Sequence, residues 1–584
     1  MMLHQFTPSF MLCAVLAFTY APQFAKGESA SHILRKTEIK KKPNIILILA
    51  DDVGTGDIPF YWNSSAVEMP NISRLSKMGV TFKDAHATPL CAPSRYMVLS
   101  GNYAHRGHHK NGSWNLASNT NQFLDTQKSI AQVLRDDAGY RTSMFGKWHL
   151  GGKAPNKTFS AHDELSRILT DPDIDWNYPL IQGPQDIGFD ESYFTIGGIQ
   201  APPYSFFRDG YLTTNASEVT YWEEGSEHNM TCGLSKIAHG GEGDANWDST
   251  AYNMIIVNET TKFIDNHLIE NSSQPFFTYV ALGGVHMPHS PPNQYLDGKS
   301  VQGTHGTEHL DLLYEMDKVV GSIISHIEDK GIAEETMIIF TSDNGGLTAS
   351  DGVDNHHTSG SLRGSKNMVY EGGHRVPLIM RYDNTFPTNK GRNKLIGLND
   401  LFATICDLVG AEVPSGSAQD SISFADYILE AGNNLNGMRN RFATWTYGMT
   451  KTGIPNNKAS IRFGTMKLIH NIDESSFELY DLRSDISEQR NLAEVETLRP
   501  LMNSMYNKLK AEGPCPSDVK GKFKVEGLTR RKGCKWFSKR KKRDRRCTSF
   551  VEGKLHCASI CGHYRQLCQK QDKKLKAIES KLNL

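Results

Sequence analysis

Three short, uninterrupted apolar runs set the strongest limit on the fold of this chain. They are rich in β-branched residues and span residues 43–50, 276–282 and 337–341. Such a run is typical of a strand that is buried on both faces, as in a parallel sheet. Helical patterns lie between the runs, at 129–138 and 312–327. Strands that alternate with helices predict a doubly wound α/β sheet, and 584 residues are enough for a large core with appended segments.

Polar residues follow two of these runs at the point where each predicted strand ends. Asp51 and Asp52 come directly after the first run, and Asp343 and Asn344 come just after the run at 337–341. Ligand sites of open α/β sheets lie at the carboxyl ends of strands, so the two segments are expected to converge. Side-chain oxygens are the ligands of a hard divalent cation such as Ca²⁺. Each segment alone is more typical of an ordinary loop, because Asp, Asn and Gly favour turns.

A short segment resembles the signature of one enzyme family. Residues 90–101 read LCAPSRYMVLSG, and the pentapeptide that begins at Cys91 resembles the C-x-P-S-R element of the sulfatases. Leu99 and Gly101 also fall where that family has them, while Ser100 stands where threonine is commoner. By itself the pentapeptide also fits a small buried cysteine before a proline that begins a helix. In the family, a formylglycine-generating enzyme oxidises this cysteine to formylglycine (3-oxoalanine), and the resemblance implies the same for Cys91.

Three further segments resemble sulfatase elements. Residues 146–151 read GKWHLG, residues 285–289 read VHMPH, and residues 362–366 read LRGSK with YEGG at 370–373. The first resembles the element that supplies a lysine and a histidine. The second resembles the element that carries another active-site histidine, here His286, with His289 as a supporting or surface residue. The third resembles the segment that supplies a substrate-binding lysine.

The resemblance covers about residues 43–500 and implies a complete active site. It implies one Ca²⁺ per chain, bound by Asp51, Asp52, Cys91 as formylglycine, Asp343 and Asn344. The implied catalytic residues are Cys91, Arg95, Lys147, His149, His286 and Lys366, of which Arg95, Lys147, His286 and Lys366 also bind substrate. The implied fold is α/β of the alkaline-phosphatase-like type, a large mixed, mostly parallel sheet flanked by helices, with a smaller C-terminal α+β subdomain and a Cys-rich basic tail.

The implied reaction is hydrolysis of a sulfate monoester, on a sulfated carbohydrate or a glycosaminoglycan-like polysaccharide. One hydroxyl of the formylglycine hydrate attacks sulfur and forms a covalent sulfo-enzyme. Calcium, Arg95, Lys147 and Lys366 would neutralise the sulfate oxygens. His286 or Lys366 would protonate the leaving oxygen, and His149 would take the proton of the second hydroxyl.

The chain divides into four predicted segments. Residues 1–27 contain a short apolar run that ends in small residues, which predicts a secretory signal peptide rather than a transmembrane segment. We place a catalytic α/β domain at 43–414 and an α+β subdomain at 415–512, where residues 477–482 and 487–493 resemble the element near the end of sulfatase chains. Ile486 stands there where a proline is common. A basic extension at 513–584 completes the chain.

Glycosylation sequons support an extracellular or lysosomal location. The eight N-x-S/T sequons lie at Asn63, Asn71, Asn111, Asn156, Asn215, Asn229, Asn258 and Asn271. A single sequon is an ordinary polar loop motif, whereas eight together indicate a secreted glycoprotein.

The extension is strongly basic. From Pro514 onward it holds 21 Lys or Arg and 6 Asp or Glu, a net charge of +15, although the whole chain is formally neutral. Its six cysteines predict a disulfide-linked module whose pairing is open. Secretion makes nucleic acid an unsuitable partner, so we expect the extension to bind sulfated polysaccharide. A solvated charged extension is the plainer interpretation.

Two other functions remain open on the sequence alone. Enzymes with related folds use formylglycine as phosphodiesterases or phosphonate hydrolases, although the GKWHLG and LRGSK segments favour sulfate. The chain could also be an inactive secreted protein that binds polyanions through its extension, although every expected site position is filled.

Overall fold

The structure is a computed structural model that describes residues 41–62, 66–109, 114, 120–155, 174–430, 440–446 and 457–513. Its helices are α1 (Pro59–Trp62), α2 (Pro70–Met78), α3 (Cys91–Ser100), α4 (Ile130–Ala138), α5 (Tyr252–Asn271), α6 (Glu308–Asp329), α7 (Glu371–His374), α8 (Asp400–Val409), α9 (Ala425–Leu429) and α10 (Arg499–Glu512). The predicted signal peptide and nearly all of the basic extension, including its cysteines, lie outside the described residues.

The strands fall into one large sheet and several small ones. They are β1 (Asn44–Ala50), β2 (Val80–His86), β3 (Arg141–Lys147), β4 (Glu191–Thr195), β5 (Phe207–Arg208), β6 (Tyr211–Leu212), β7 (Val219–Trp222), β8 (Glu227–Asn229), β9 (Leu234–Lys236), β10 (Gly241–Asp244), β11 (Phe276–Ala281), β12 (Thr336–Ser342), β13 (Arg375–Arg381), β14 (Lys390–Arg392), β15 (Ile396–Gly397), β16 (Arg441–Thr446), β17 (Lys458–Phe463), β18 (Met466–Asn471) and β19 (Ser476–Asp481).

The large sheet has the order β14-β2-β13-β12-β1-β11-β3-β4-β5-β6, with β15 also paired to β2. Its centre is parallel: β1 lies between β11 and β12, β3 pairs with β11, and β4 pairs with β3. Strand β13 runs antiparallel to both β12 and β2. The predicted mixed, mostly parallel sheet is therefore confirmed.

Burial on both faces explains why the apolar runs become central strands. Ile45 and Leu47 of β1 belong to one core with residues of α3, α4 and α8. Ile46 and Ile48 belong to the opposite core with residues of α2, α5 and α6. All four side chains are fully buried. Because each burial contributes about 1.5–3 kcal/mol, a one-residue slip of β1 would exchange the two faces at a large cost.

A second, antiparallel sheet lies within the range that we assigned to the C-terminal subdomain. It has the order β16-β17-β18-β19, and Leu501 and Leu509 of α10 share a core with Ile461 and Leu468. Buried ion pairs join it to the large sheet. Arg462 donates to both carboxylate oxygens of Asp84 at 2.6 and 2.7 Å, and Lys467 donates to Glu371 at 3.0 Å. The two sheets therefore share one buried, charged interface.

The remaining cysteines and the sequons have distinct surroundings. Cys91, Cys232 and Cys406 form no disulfide within the described ranges, and burial, with a smaller effect of Asp407, raises the pKa of Cys406 to about 12. The exposed sequon asparagines are Asn215, Asn229, Asn258 and Asn271, whereas Asn71 contacts α6 and Asn63, Asn111 and Asn156 lie outside the described residues. Among the described helices we find none that is both long enough and apolar enough to cross a bilayer.

Candidate active site

The carboxyl ends of β1 and β12 bring the predicted acidic residues together. The two strands pair in register up to Ala50 and Ser342, so the residues that follow them are neighbours. The amide of Asp52 donates to Oδ1 of Asp343 at 3.2 Å, and Nδ2 of Asn344 donates to Oδ1 of Asp52 at 2.8 Å. The four predicted ligands that follow these strands, Asp51, Asp52, Asp343 and Asn344, are fully buried. The predicted convergence is present.

Cys91 is the first residue of helix α3. The loop before it is held by Ser94, whose hydroxyl lies 2.7 Å from that of Thr88. The Sγ of Cys91 lies 3.4 Å from Nδ1 of His149. Burial raises the pKa of the thiol, although the charges of Lys147 and Lys366 oppose this. The structure contains cysteine at this position, so Sγ marks where an oxygen on the side-chain carbon of formylglycine would lie.

Strand β3 ends at Lys147 and places Lys147 and His149 beside Asp51 and Cys91. Its close packing requires glycine at 146: φ is +107°, and a Cβ would lie 1.8 Å from the carbonyl oxygen of Ala281. The ammonium of Lys147 donates to Oδ2 of Asp51 at 2.6 Å and to Oε1 of Gln200 at 2.8 Å. Lys147 is therefore a buried counter-ion of the acidic residues.

Arg95 lies behind the acidic residues rather than at their open side. Its Nε and Nη2 donate to Oδ2 of Asp343 at 3.1 and 2.6 Å, and its Nη1 donates to the carbonyl oxygen of Lys147 at 2.9 Å. Its Nη2 also lies 3.3 Å from Asp51, and its side chain is fully buried. The guanidinium thus fixes Asp343 and the end of β3 and neutralises part of their charge.

The buried carboxyl groups differ in proton affinity. Burial raises the pKa of Asp51, but Lys147, His286 and Arg95 outweigh it and hold that pKa well below its usual value. Burial, followed by the charge of Asp51, raises the pKa of Asp343 to about 7. Three carboxylates therefore share one buried pocket with three cations, Arg95, Lys147 and Lys366.

Lys366 and His286 form the outer part of the site. Nζ of Lys366 donates to Asp52 at 2.7 Å and to Nε2 of His286 at 2.9 Å. Nδ1 of His286 donates to the carbonyl oxygen of Met287 at 2.5 Å. Their side chains are 14% and 12% exposed, whereas those of Arg95 and Lys147 are at most 1% exposed. A molecule that enters the site therefore meets Lys366 and His286 first.

The pKa values of both site histidines lie below the ordinary histidine value. Burial, then Lys366, lowers the pKa of His286 to about 4. Burial, then Lys147 and Arg95, lowers the pKa of His149 far below its usual value. A neutral imidazole has one nitrogen that can accept a proton, so His149 can act as a base toward the substituent of residue 91.

The site fits a calcium ion. Oδ1 of Asp51 and Oδ1 of Asn344 are buried and accept no hydrogen bond within the described part of the chain. Donor atoms of Asp51, Cys91 and Asp343 lie within 4.8 Å of one another. Unpaired buried acceptors are costly, and a ring of carboxylate and amide oxygens is the ligand set of Ca²⁺.

Sequence reasoning missed two sets of residues near the site. Gln200 contacts Lys147 from a loop with no readable pattern, and no sequence signal could have identified it. His309 and His356 converge on Asp57, which follows the acidic loop by five residues. His289, predicted as a supporting or surface residue, is buried with its ring 5.2 Å from that of His309.

Comparisons with known proteins agree on one family. A family model described as Sulfatase matches residues 43–411, and one described as N-sulphoglucosamine sulphohydrolase, C-terminal, matches residues 364–513. An N-acetylgalactosamine-6-O-sulfatase of Bacteroides thetaiotaomicron is 30% identical over 499 residues, which cover 78% of this chain and 90% of that protein. Arylsulfatase D of Homo sapiens is 30% identical over 443 residues, which cover 68% of this chain and 70% of that protein.

Solved structures give the same result for the fold. A Bacteroides thetaiotaomicron protein studied in the metabolism of multiple glycosaminoglycans superposes with a TM-score of 0.65 at 25% identity. The match covers 81% of this chain and 99% of that one. The likeness therefore extends over both sheets rather than over the acidic site alone.

Proposed function

The chain belongs to the sulfatase family and is a sulfuric ester hydrolase, and on that premise we propose that it removes sulfate from a sulfated carbohydrate, using formylglycine made from Cys91 and one bound Ca²⁺. The carbohydrate is proposed because relatives carry the names N-acetylgalactosamine-6-O-sulfatase and N-acetylgalactosamine-6-sulfatase. A 6-O-sulfated N-acetylhexosamine is therefore the first substrate to test.

The surroundings of residue 91 carry the proposal. This residue begins a buried helix, and its Sγ lies 3.4 Å from Nδ1 of His149. Burial raises the pKa of its thiol, whereas the charges of Lys147 and Lys366 lower it. A helix N-terminus and nearby cations stabilise negative charge at the nucleophile and on a sulfate group. Cys406, by contrast, lies in an apolar core, and the charges that act on it are those of Asp407 and Asp137.

Asp51, Asp52, Asp343 and Asn344 would hold the calcium ion together with residue 91. When present, hydrated formylglycine supplies a nucleophilic oxygen and Ca²⁺ supplies positive charge for the sulfate oxygens. Arg95 and Lys147 keep the acidic residues in place, since they pair with Asp343 and Asp51 from the buried side. Arg95 thus acts mainly as a positioning residue for the ligands.

His149 would accept a proton and Lys366 would donate one, on opposite sides of the sulfate. His149 Nδ1 lies beside the substituent of residue 91, so it would take a proton there. Lys366 donates to Nε2 of His286, whose Nδ1 is held by Met287, so the mobile proton of this pair lies on the lysine. Being the more exposed cation of the site, Lys366 would bind the sulfated sugar and protonate its leaving oxygen.

The test is release of sulfate from a panel of substrates by the full-length protein made in a eukaryotic secretory host. The panel holds N-acetylgalactosamine 6-sulfate, other sulfated sugars, a phosphodiester and a phosphonate ester. The wild type and Cys406→Ala, which removes a remote buried thiol, should release sulfate, whereas Cys91→Ala should not. Cleavage of the phosphorus esters alone would favour the phosphonate hydrolase alternative. A folded protein with no turnover would favour the polyanion-binding one.

We further propose that the chain is exported, to the extracellular space or the lysosome, after contact with the formylglycine-generating enzyme. The basic extension would then hold it on sulfated polysaccharide through a salt-sensitive attraction of its +15 net charge. Removing residues 514–584 should reduce retention on a heparin column, and unchanged retention would refute this part. The activity assay does not depend on that result.

A further inference from the structure

A second polar cluster is buried beside the active site. Oδ1 of Asp57, in the turn after β1, lies 2.7 Å from Nε2 of His356 and 3.4 Å from Nε2 of His309. His309 belongs to the first turn of α6, and His356 belongs to the loop after β12. The three donor atoms lie within 4.8 Å of one another. We call Asp57, His309 and His356 the Asp57 cluster.

Backbone packing and hydrogen bonds fix the positions of the residues in the Asp57 cluster. The other oxygen of Asp57, Oδ2, accepts the amide of Gly54 at 2.7 Å, so the carboxylate cannot turn freely. The amide of Gly56 donates to the carbonyl oxygen of Thr358 at 2.8 Å, two residues beyond His356. A Cβ at residue 56 would lie 2.0 Å from the carbonyl oxygen of His357. The turn and the loop are therefore packed backbone to backbone, with their donor atoms fixed.

Two buried imidazole nitrogens next to the cluster have no partner. Nδ1 of His309 and Nε2 of His289 accept or donate no hydrogen bond within the described ranges, although the rings lie 5.2 Å apart. His309 is fully buried and His289 is 7% exposed. Hydrogen bonding between Asp57 and its two histidines leaves both nitrogens unexplained, because buried polar atoms normally find partners.

We propose that the Asp57 cluster binds a zinc-type divalent cation, separate from calcium, through Asp57 Oδ1, His309 Nε2 and His356 Nε2. Two imidazoles and a carboxylate, with one position left for water, are an established ligand set of Zn²⁺. A metal-bound imidazole donates its other N–H to a nearby acceptor. Nδ1 of His309 has no acceptor within hydrogen-bond distance among the described residues, and the neighbouring imidazole is that of His289, whose ring lies 5.2 Å away.

The site would join three segments that surround the catalytic residues. Asp57 follows the loop of Asp51 and Asp52, and His289 follows His286 by three residues. A cation there would tie the turn after β1, the start of α6 and the loop after β12 into one unit. Its role is structural, because its ligands do not contact Cys91 or Lys366 in any hydrogen bond or ion pair between described residues. The proposal does not depend on the sulfatase chemistry.

The experiment measures zinc in untagged full-length protein. The protein is stripped with a chelator, given Ca²⁺ and excess Zn²⁺, separated from free metal and analysed by elemental mass spectrometry. The variants are His309→Gln, His356→Gln and His289→Phe, with His326→Gln as the matched control. His326 lies on the same helix and also pairs with an aspartate, Nε2 to Oδ1 of Asp265 at 2.8 Å. Comparing full-length chains cancels any zinc that the cysteines of the extension retain.

The wild type and His326→Gln should each hold one more equivalent of zinc than His309→Gln or His356→Gln. His289→Phe should still bind zinc, since it keeps all three ligands and changes only a neighbouring ring. A zinc-edge anomalous peak between Asp57 and His356 in wild-type crystals would support the site even if a variant fails to fold. Equal zinc in all folded proteins, or no zinc in the wild type, would show a hydrogen-bonded cluster only and overturn the proposal.

Discussion

Lys147 holds one oxygen of Asp51 and does not touch the other: its Nζ lies 2.6 Å from Oδ2, while Oδ1 is buried without a hydrogen bond among the described residues. Oδ1 of Asn344 is in the same situation. Leaving such an acceptor unpaired costs about 1–3 kcal/mol, so two of them in one pocket support the proposed calcium site.

Calcium should stabilise the protein through Asn344. Ca²⁺ at 100 times its Kd should add about 2.7 kcal/mol to the free energy of unfolding, because it binds only the folded state. Asn344→Leu should lose most of this gain. Asn399→Leu is the matched control, since the Oδ1 of Asn399 is also buried without a hydrogen bond in the described structure but lies away from the acidic pocket. Thermal unfolding with and without Ca²⁺ measures the gain, and an equal gain in both variants would contradict the assignment.

Lys366→Ala should reduce kcat/KM for a sugar sulfate about 10²–10⁴-fold, because the leaving alkoxide loses its proton donor. The loss should be much smaller for a nitrophenyl sulfate, whose leaving group needs no proton. Lys236→Ala serves as control, because Lys236 is ion-paired with Glu308 outside the site. Equal losses on the two substrates would indicate that Lys366 only binds sulfate.

Stability should fall as the pH is lowered below about 6.5, the ordinary pKa of histidine. The cause is a buried pair at the interface of the two sheets, His86 and His374, whose Nδ1 atoms lie 3.0 Å apart. Burial lowers the pKa of both, with Lys467 adding to the effect on His374. Below about pH 6.5 the unfolded chain therefore binds protons that the folded chain does not. The free energy of unfolding, which is fully present above that pH, decreases as the pH falls. Each histidine contributes up to about 1.4 kcal/mol per pH unit.

Urea unfolding at pH 7.5, 6.0 and 5.0, with calcium and salt held constant, measures this dependence. His374→Gln should reduce the change of the urea midpoint with pH, whereas His239→Gln, at an exposed position, should not. A midpoint that stays constant from pH 7.5 to 5.0 would contradict the prediction.

The apolar runs predicted the sheet and the meeting of Asp51 with Asp343, because burial on both faces fixes the register of β1 against β12. The motifs around Cys91 and Lys147 were identified by their resemblance to sulfatase elements, and they lie at the start of α3 and the end of β3. Local patterns were enough wherever a side chain is carried by its own strand or helix.

Contacts between distant loops could not be predicted in this way. Gln200 reaches Lys147 from a loop, and His309 and His356 meet Asp57 across separations of 252 and 299 residues. Arg462 pairs with Asp84 across 378 residues. No periodicity or local motif encodes these pairings, because they depend on how complete elements pack together.

Glycan mapping should find Asn215, Asn229, Asn258 and Asn271 occupied and Asn71 bare, because the first four are exposed. The Nδ2 of Asn71, to which a glycan would be attached, donates to Asp317 at 2.8 Å, and a Cβ on Gly321 would lie 2.4 Å from its Cγ. Enzymatic deglycosylation followed by peptide mass spectrometry measures the occupancy. A fully glycosylated Asn71 in folded, secreted protein would contradict the packing of α2 against α6.

The most direct test of the account is the mass of the tryptic peptide 84–95, which contains position 91, from protein made in a eukaryotic secretory host. Formylglycine at position 91 should give a mass about 18 Da below that of the cysteine peptide, the difference between a thiol and an aldehyde side chain. An unmodified Cys91 from a host that converts other sulfatases would contradict this prediction.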